Sequence, residues 1–265
     1  NVGTVYVPPY PSLVASYQAL LGPVAAPGEG SLDEVSCEGI RGWAASPSSL
    51  DTAIEARLYF DGEPSSGQVV GHPILADQRR DDLCEPLGSC DHGFATGLPL
   101  SLLDGEDHTV RAYADDGSGA PITELDSRPG GFRCSLELPA GALREVDGLD
   151  AKNAWRFSTF WDEVEVSDAV LADLPFADAL EPAPALVVSE ADGTLWLLDR
   201  GVRRPIADEQ VARAWDFHPS LADPIEASVL ASIPLGKPMR PRPVVLRSTD
   251  GELFLVDDAD PSLGG

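Results

Sequence analysis

The feature that most constrains the fold of this chain is an internal match with a period of about sixty residues in its second half. Val188–Asp199 aligns with Leu246–Asp257 at an offset of 58, with an Asp-Gly pair at the centre of each segment. Upstream, Ala154-Trp155-Arg156-Phe157 aligns with the segment 60 residues later. A repeat of this length is one supersecondary unit that buries its apolar face against its neighbours.

The sequence of each unit predicts a β-hairpin around Asp-Gly and a short helix that carries Ala-Trp-x-Phe. A Leu-Pro or Ile-Pro stretch then leads to the next hairpin. The repeat region is residues 135–265, and its units run over about 132–185, 186–244 and 245–265. The third unit stops before its helix. Because repeats need neighbours, we expect the native chain to continue past Gly265.

Residues 31–134 alternate between apolar and polar side chains, with turn signals about every ten residues. In Ala53–Phe60, the side chains of Ile54, Ala56, Leu58 and Phe60 share one face. In His108–Ala114, Val110, Ala112 and Ala114 do the same. This pattern predicts an Ig-like antiparallel β-sandwich. The fold class is therefore mainly β: a sandwich at 31–134 followed by hairpin and short-helix repeats (α+β), with residues 1–30 as a leading segment and linker.

The four cysteines predict two disulfides. Cys84 and Cys90 bracket a turn-rich loop, and Cys37 and Cys134 flank the predicted sandwich, so we expect bonds 84–90 and 37–134. Their spacing matches no zinc site, and four buried thiols are the alternative. Disulfides predict an extracellular or periplasmic protein at the cell surface or beyond it. The chain begins at Asn1 rather than methionine, so we also expect that an upstream segment is missing.

The chain is acidic along its whole length. It has 44 acidic and 18 basic residues, for a net charge of −26. Residues 31–134 have 19 acidic and 7 basic residues, and residues 135–265 have 24 and 11. A uniformly negative surface argues against nucleic acid and anionic membrane surfaces as partners. No apolar run approaches the roughly 20 residues that a membrane-spanning helix needs, so we expect no membrane insertion.

The sequence predicts no catalytic residue within this chain. It has no G-x-S-x-G nucleophile elbow, no H-E-x-x-H zinc helix and no phosphate-binding P-loop. Adjacent carboxylates such as Asp162-Glu163 offer glycosidase-like pairs, but 44 acids produce such pairs by chance. The four histidines lie in separate segments and are interpreted as structural or exposed. A hydrolase with an unrecognised site remains an alternative.

No cofactor is predicted, and calcium is the one metal that the loops suggest. Asp104 and Asp107 lie in one acidic Gly-containing loop, and Asp115 and Asp116 begin another. Such loops supply the oxygen ligands that Ca²⁺ prefers. Neither loop matches the EF-hand spacing, and solvated hairpin turns are the simpler interpretation.

Tryptophans provide the only candidate for ligand binding. Trp155 and Trp215 recur at equivalent places, and Trp196 aligns with Phe254 in a strand that is apolar on both faces. We interpret these three as core, together with Trp43 at the start of the sandwich. Trp161 aligns with Leu221 and is the tryptophan most free to be exposed, so it is the candidate for stacking on a sugar ring.

Two resemblances extend this interpretation. The middle segment resembles β-sandwich modules of bacterial secreted proteins. The residues that carry this resemblance are Gly42-Trp43-Ala44, Arg80-Asp81-Asp82-Leu83, His92-Gly93-Phe94 and the Asp104–Tyr113 region. Such modules imply no catalytic role for these residues. The repeats are similar to accessory repeats downstream of bacterial cell-wall hydrolases. The segments that carry this similarity are Asp192–Asp199, Gly201–Ile206 and Ile233–Gly236. This similarity implies an enzyme before Asn1 and a targeting function for this chain.

The expected function is therefore a non-catalytic extracellular binding or spacer region that addresses a glycan or cell-wall surface. A cell-surface structural or adhesion protein is the first alternative. An accessory part of a peptidoglycan or polysaccharide hydrolase, with its catalytic domain outside this chain, is the second.

Overall fold

A computed structural model describes residues 26–67, 69–117, 122–127 and 130–262, and these are mainly β. Most of the predicted leading segment, residues 1–25, lies outside the described residues. The chain divides into two compact units that interleave in sequence. The first contains residues up to Ser36, Ile40–Ala95 and Thr109–Gly131, and the second contains Cys37–Gly39, Thr96–His108 and the chain from Phe132 onward. None of the described helices is long and apolar enough to cross a membrane.

Two sheets form the first unit, and most of their strand pairs are antiparallel. Sheet A has the order β5-β6-β2-β1-β9, and sheet B has the order β10-β7-β3-β4 with β8 beside β7. The strands are β1 Glu29–Ser36, β2 Gly39–Ala45, β3 Ile54–Phe60, β4 His72–Ala76, β5 Gln78–Arg79, β6 Asp91–Thr96, β7 His108–Asp115, β8 Thr123–Glu124, β9 Asp126–Ser127 and β10 Gly130–Phe132. Short 3-10 turns lie at Pro64–Ser66 and Asp81–Leu83, and helix α1 at Cys84–Leu87. This arrangement is consistent with a β-sandwich.

The period-two pattern places the apolar faces of β3 and β7 as predicted. The four apolar residues that alternate along β3, and the three along β7, are all buried. The strands pair antiparallel, with Ala56 opposite Ala114 and Leu58 opposite Ala112. At the turn after β3, Asp61 has a φ of 54°, and its carboxylate accepts a hydrogen bond from Thr109 N. An aspartate tolerates this left-handed conformation better than most residues do.

Both predicted disulfides are confirmed. Cys84 and Cys90 are bonded across the small loop in the first unit. Cys37 and Cys134 are bonded within the second unit, over a sequence separation of 97 residues. Disulfides that form within the fold are compatible with a secreted protein.

The second unit contains two four-stranded sheets with the same pattern of pairing. Sheet C has the order β11-β18-β17-β12, and sheet D has the order β15-β14-β13-β16. The strands are β11 Ala142–Val146, β12 Glu163–Glu165, β13 Ala185–Ser189, β14 Leu195–Asp199, β15 Val202–Pro205, β16 Asp223–Ile225, β17 Val245–Arg247 and β18 Leu253–Asp257. The helices are α2 Gly148–Ala154, α3 Asp168–Ala172, α4 Glu209–Ala214 and α5 Ala227–Ser232, and 3-10 turns lie at Leu100–Leu102 and Pro219–Leu221.

Each sheet of the second unit consists of a hairpin, a third antiparallel strand and a fourth parallel strand. In sheet D these strands follow one another along the chain: β13, β14 and β15, then α4, then β16 parallel to β13. In sheet C the hairpin β17–β18 comes last, and the early strand β11 pairs antiparallel with β18. The predicted Asp-Gly hairpins are therefore formed. In sheet C, β11 occupies the position that β15 occupies in sheet D.

Aromatic side chains from the two Ala-Trp-x-Phe segments form the core between the sheets. Trp155, Phe157, Trp215 and Phe217 are buried and contact one another, with ring centroids 5.7–6.4 Å apart. The indole N–H of each tryptophan donates at 2.7 Å to a backbone carbonyl, that of Glu181 or that of Arg240. The prediction that Trp155 and Trp215 are core residues is confirmed.

Candidate functional site

Two arginines and two aspartates form a buried charge cluster where the inner faces of sheets C and D meet. Arg144 and Arg204 are at most 1% exposed, and each donates to both Asp199 and Asp257 at 2.8–3.1 Å. The guanidinium Nε of each also donates to a backbone carbonyl, that of Asp178 or that of Lys237. Two positive and two negative charges therefore compensate one another inside the protein.

The electrostatics of this cluster follow from its pairing. Burial acts to raise the pKa of Asp257, but the hydrogen bonds and positive charge of Arg204 outweigh burial and lower it. Burial acts to lower the pKa of Arg204, but Asp257 and Asp199 outweigh it and raise that pKa. All four groups are already bound to one another across the two sheets, so the cluster leaves no group for a ligand.

A second buried carboxylate, Asp162, has a pKa that is raised rather than lowered. Burial raises its pKa to about 6, against the opposing effects of a hydrogen bond from Ser158 N at 2.8 Å and the positive charge of Arg242. Arg242 donates to the carbonyls of Leu98 and Trp161 at 2.7 and 2.6 Å. The neighbouring Glu163 forms an ion pair with Lys152. Each of these groups is bound by its own surroundings, so they do not form the glycosidase-like pair considered above.

The outer face of sheet C, turned away from the charge cluster, is covered. Leu143, Phe254 and Val256 on this face are at most 6% exposed. Aliphatic side chains from before and after the disulfide half-cystine Cys134 complete a cluster with them: Leu100, Leu103, Leu136 and Leu138. These four leucines precede β11 in the chain, and Leu171 and Leu174 from within the repeated segments join the same cluster.

The outer face of sheet D is the equivalent surface, and its side chains are more exposed. Arg203, Trp196 and Leu198 take the places of Leu143, Phe254 and Val256. All three are partly exposed. The expectation that Trp196 is a core residue is therefore wrong. Trp196 is partly exposed, whereas its counterpart Phe254 is 6% exposed.

Trp196 and Arg203 form one polar and aromatic surface on this face. The guanidinium carbon of Arg203 lies 5.0 Å from the centroid of the indole ring, within the range of a cation–π contact. The indole N–H donates to Thr194 Oγ1 at 2.9 Å, which fixes the ring against the hairpin. Beside β15, Leu235 pairs with the backbone of Arg203 and is 44% exposed. We call Trp196, Leu198, Arg203 and Leu235 the open face of sheet D.

A shallow recess of about 300 Å³ lies beside the Asp250-Gly251 turn of sheet C. Its lining includes the carboxylates of Glu145, Asp250 and Glu252 and the exposed side chain of Leu149. These carboxylates make the recess a negative surface, in contrast with the open face of sheet D, where the charged group is a guanidinium.

The four aspartates considered as calcium ligands each contact other polar groups. Asp104 accepts from Glu106 N at 2.8 Å and lies 3.0 Å from His108 Nε2, and the first of these contacts lowers its pKa most. Asp107 binds Arg133, and Asp115 binds Arg57 at 2.6 Å. Asp116 also has a partner. Within the described ranges, no three His, Cys, Asp or Glu side chains are placed to hold one metal ion.

The remaining predicted residues have local roles. Trp161 is partly buried, with its ring edge-to-face against Phe160 at 5.1 Å. Trp43 is also partly buried rather than fully in the core. The histidines contact neighbours: His72 lies against Phe60, His92 Nε2 is 3.1 Å from Leu50 O, His108 binds Asp104, and His218 binds Ser220.

One feature of the sequence indicates the open face. At the offset of 60, apolar Leu143 aligns with charged Arg203, and such an exchange on one face indicates a difference in exposure. No protein-family model, no characterised protein and no solved structure matches this chain.

Proposed function

We propose that this chain is a non-catalytic extracellular binding or spacer region that addresses a glycan or cell-wall surface through the open face of sheet D. The observation that carries the proposal is the contrast between two equivalent faces. The side chain of Phe254 is buried in an aliphatic cluster, and the side chain of Trp196 is partly exposed. A partly exposed tryptophan that is fixed by a hydrogen bond is a rigid surface for the C–H groups of a sugar ring.

The extent of the open face favours a sugar over a protein as its ligand. Trp196 and Leu198 are each only partly exposed, whereas a stable protein interface takes about 800 Å² from each partner. One or two sugar rings need far less surface, and the flat side of a sheet suits an extended polymer.

A role without catalysis is supported by how the buried charges are used. In the second unit, Arg144, Arg204, Asp199 and Asp257 bind one another, and Glu163 binds Lys152. The disulfides support an extracellular location. We propose further that sheets C and D are two copies of one repeat unit, with β11 completing the copy that contains β17 and β18. The resemblance to secreted bacterial modules and cell-wall accessory repeats is part of the same proposal.

Co-sedimentation with purified peptidoglycan and a panel of insoluble polysaccharides tests this function. We expect the wild type to be retained on at least one of them, and Trp196→Ala to lose most of that retention. Trp161→Ala is the matched variant, because Trp161 is the other partly buried tryptophan of the second unit. Loss of retention in Trp161→Ala alone would move the site to Trp161. Retention on no glycan surface would contradict the proposal and favour a structural or adhesion role.

A further inference from the structure

Arg203 differs from the other basic side chains of this chain. Every other lysine and arginine that the structure describes has an ion pair or a hydrogen bond. Within the described part of the chain, the side chain of Arg203 has neither, and its Nε is buried without an acceptor. In a chain with 44 carboxylates, an unpaired guanidinium is an unusual arrangement.

From this we infer that the open face of sheet D binds a glycan that bears carboxylate groups, with the sugar ring on Trp196 and its carboxylate on Arg203. This inference rests on the proposed function, because it names the class of glycan that the same face takes. A guanidinium presents N–H donors in a planar fork that matches a carboxylate, and such charge-assisted bonds are about twice as strong as neutral ones. The ring of Trp196 holds the guanidinium in place before the ligand arrives.

The overall charge of the chain limits which anions suit this site. A net charge of −26 repels dense polyanions such as nucleic acid, which carry a charge about every 1.7 Å. A glycan with at most one carboxylate on each sugar ring has a lower charge density. At about 0.15 M salt, exposed charges more than about 8 Å apart are largely screened, so the contact with Arg203 decides the binding.

The test is a titration at about 0.15 M salt with oligogalacturonate and with the same oligomer after chemical reduction of its carboxyl groups. We expect reduction to weaken binding by roughly 10- to 100-fold, as the loss of a charged hydrogen bond would. Arg203→Gln should weaken binding of the native oligomer to the same degree, and Arg203→Lys should weaken it less. Arg213→Gln, which removes an exposed arginine that is paired with Glu209, is the control and should bind as the wild type does.

Three outcomes would overturn the inference. Equal affinity for native and reduced oligomers, with loss of binding in Trp196→Ala, would show that the site does not recognise a carboxylate. The proposed function would still stand. No binding to either oligomer, together with retention of the wild type on a neutral polysaccharide, would also overturn carboxylate recognition and leave the proposed function standing. Trp196-dependent self-association of the chain in sedimentation, without glycan binding, would make this face a protein interface and would overturn the proposed function as well.

Discussion

Arg204 binds Asp257 through two parallel hydrogen bonds, from Nη1 to Oδ2 at 2.8 Å and from Nη2 to Oδ1 at 3.0 Å. The two residues come from different sheets and are both buried. Arg144 Nη1 also donates to Oδ2 of this carboxylate, at 3.0 Å. Asp257 is therefore the group through which the last strand of sheet C holds sheet D.

Replacing Asp257 by asparagine should destabilise the second unit strongly. The variant removes a carboxylate that both buried guanidiniums bind, and breaking a buried ion pair in this way costs about 3–5 kcal/mol. Urea denaturation gives the free energy of unfolding. Arg213→Gln, which breaks an exposed pair within one helix, should cost no more than about 0.5 kcal/mol. A cost below about 1 kcal/mol for Asp257→Asn would show that the cluster does not hold the sheets together.

Asp162 should make the stability of the fold depend on pH in the range between its ordinary pKa of 3.8 and its raised value of about 6. In that range the folded protein keeps a proton that the unfolded chain has released, so stability falls as the pH rises from about 4 to about 6. Above that range the loss is constant, on the order of 1–3 kcal/mol.

Asp162→Asn should remove this loss, because an amide oxygen can still accept the hydrogen bond from Ser158 N. We expect the variant to be more stable than the wild type at pH 7.5 and close to it at pH 4, measured by thermal and urea denaturation. Glu190→Gln, at an exposed position, is the matched substitution and should keep the wild-type pH profile. An Asp162→Asn variant that is equally destabilised at both pH values would contradict the assignment.

The two disulfides should differ in how much they stabilise the fold. The bond between Cys37 and Cys134 closes a separation of 97 residues, and that between Cys84 and Cys90 closes one of 6. Loop-closure entropy predicts a loss of about 4–5 kcal/mol for the first and about 2 kcal/mol for the second when both cysteines become serine. Chemical denaturation of the two double-serine variants compares them. Equal losses, or a larger loss at Cys84 and Cys90, would contradict this expectation.

Much of the local structure was predictable from the sequence, because it depends on neighbouring residues. The alternation in Ile54–Phe60 gave the buried face of β3, and the Asp-Gly pairs marked both hairpins of the second unit. The repeat alignment also placed Asp199 and Asp257 at equivalent positions, and at the offset of 60 Arg144 aligns with Arg204. It did not indicate that the four side chains meet, because β11 pairs with β18 over more than a hundred residues.

The difference in exposure between Trp196 and Phe254 could not be predicted from their own strands, because it depends on residues that are distant in sequence. Trp196 and Phe254 have equivalent positions and similar side chains, and a comparison of their strands predicts the same burial for both. Leu100 and Leu136, which precede β11 in sequence, pack with Phe254 in one cluster. Only the tertiary structure shows which of the two sheets these segments cover.

The indole N–H signals of the five tryptophans test the central claim most directly. In separate two-dimensional ¹⁵N titrations with soluble peptidoglycan fragments and with oligogalacturonate, we predict that the Trp196 signal shifts in at least one. The signals of Trp155 and Trp215, whose N–H groups donate to buried carbonyls, should stay in place. The Trp196→Phe variant assigns the signal by its absence. A Trp196 signal that is unmoved in both titrations, or a shift confined to Trp161, would contradict the account.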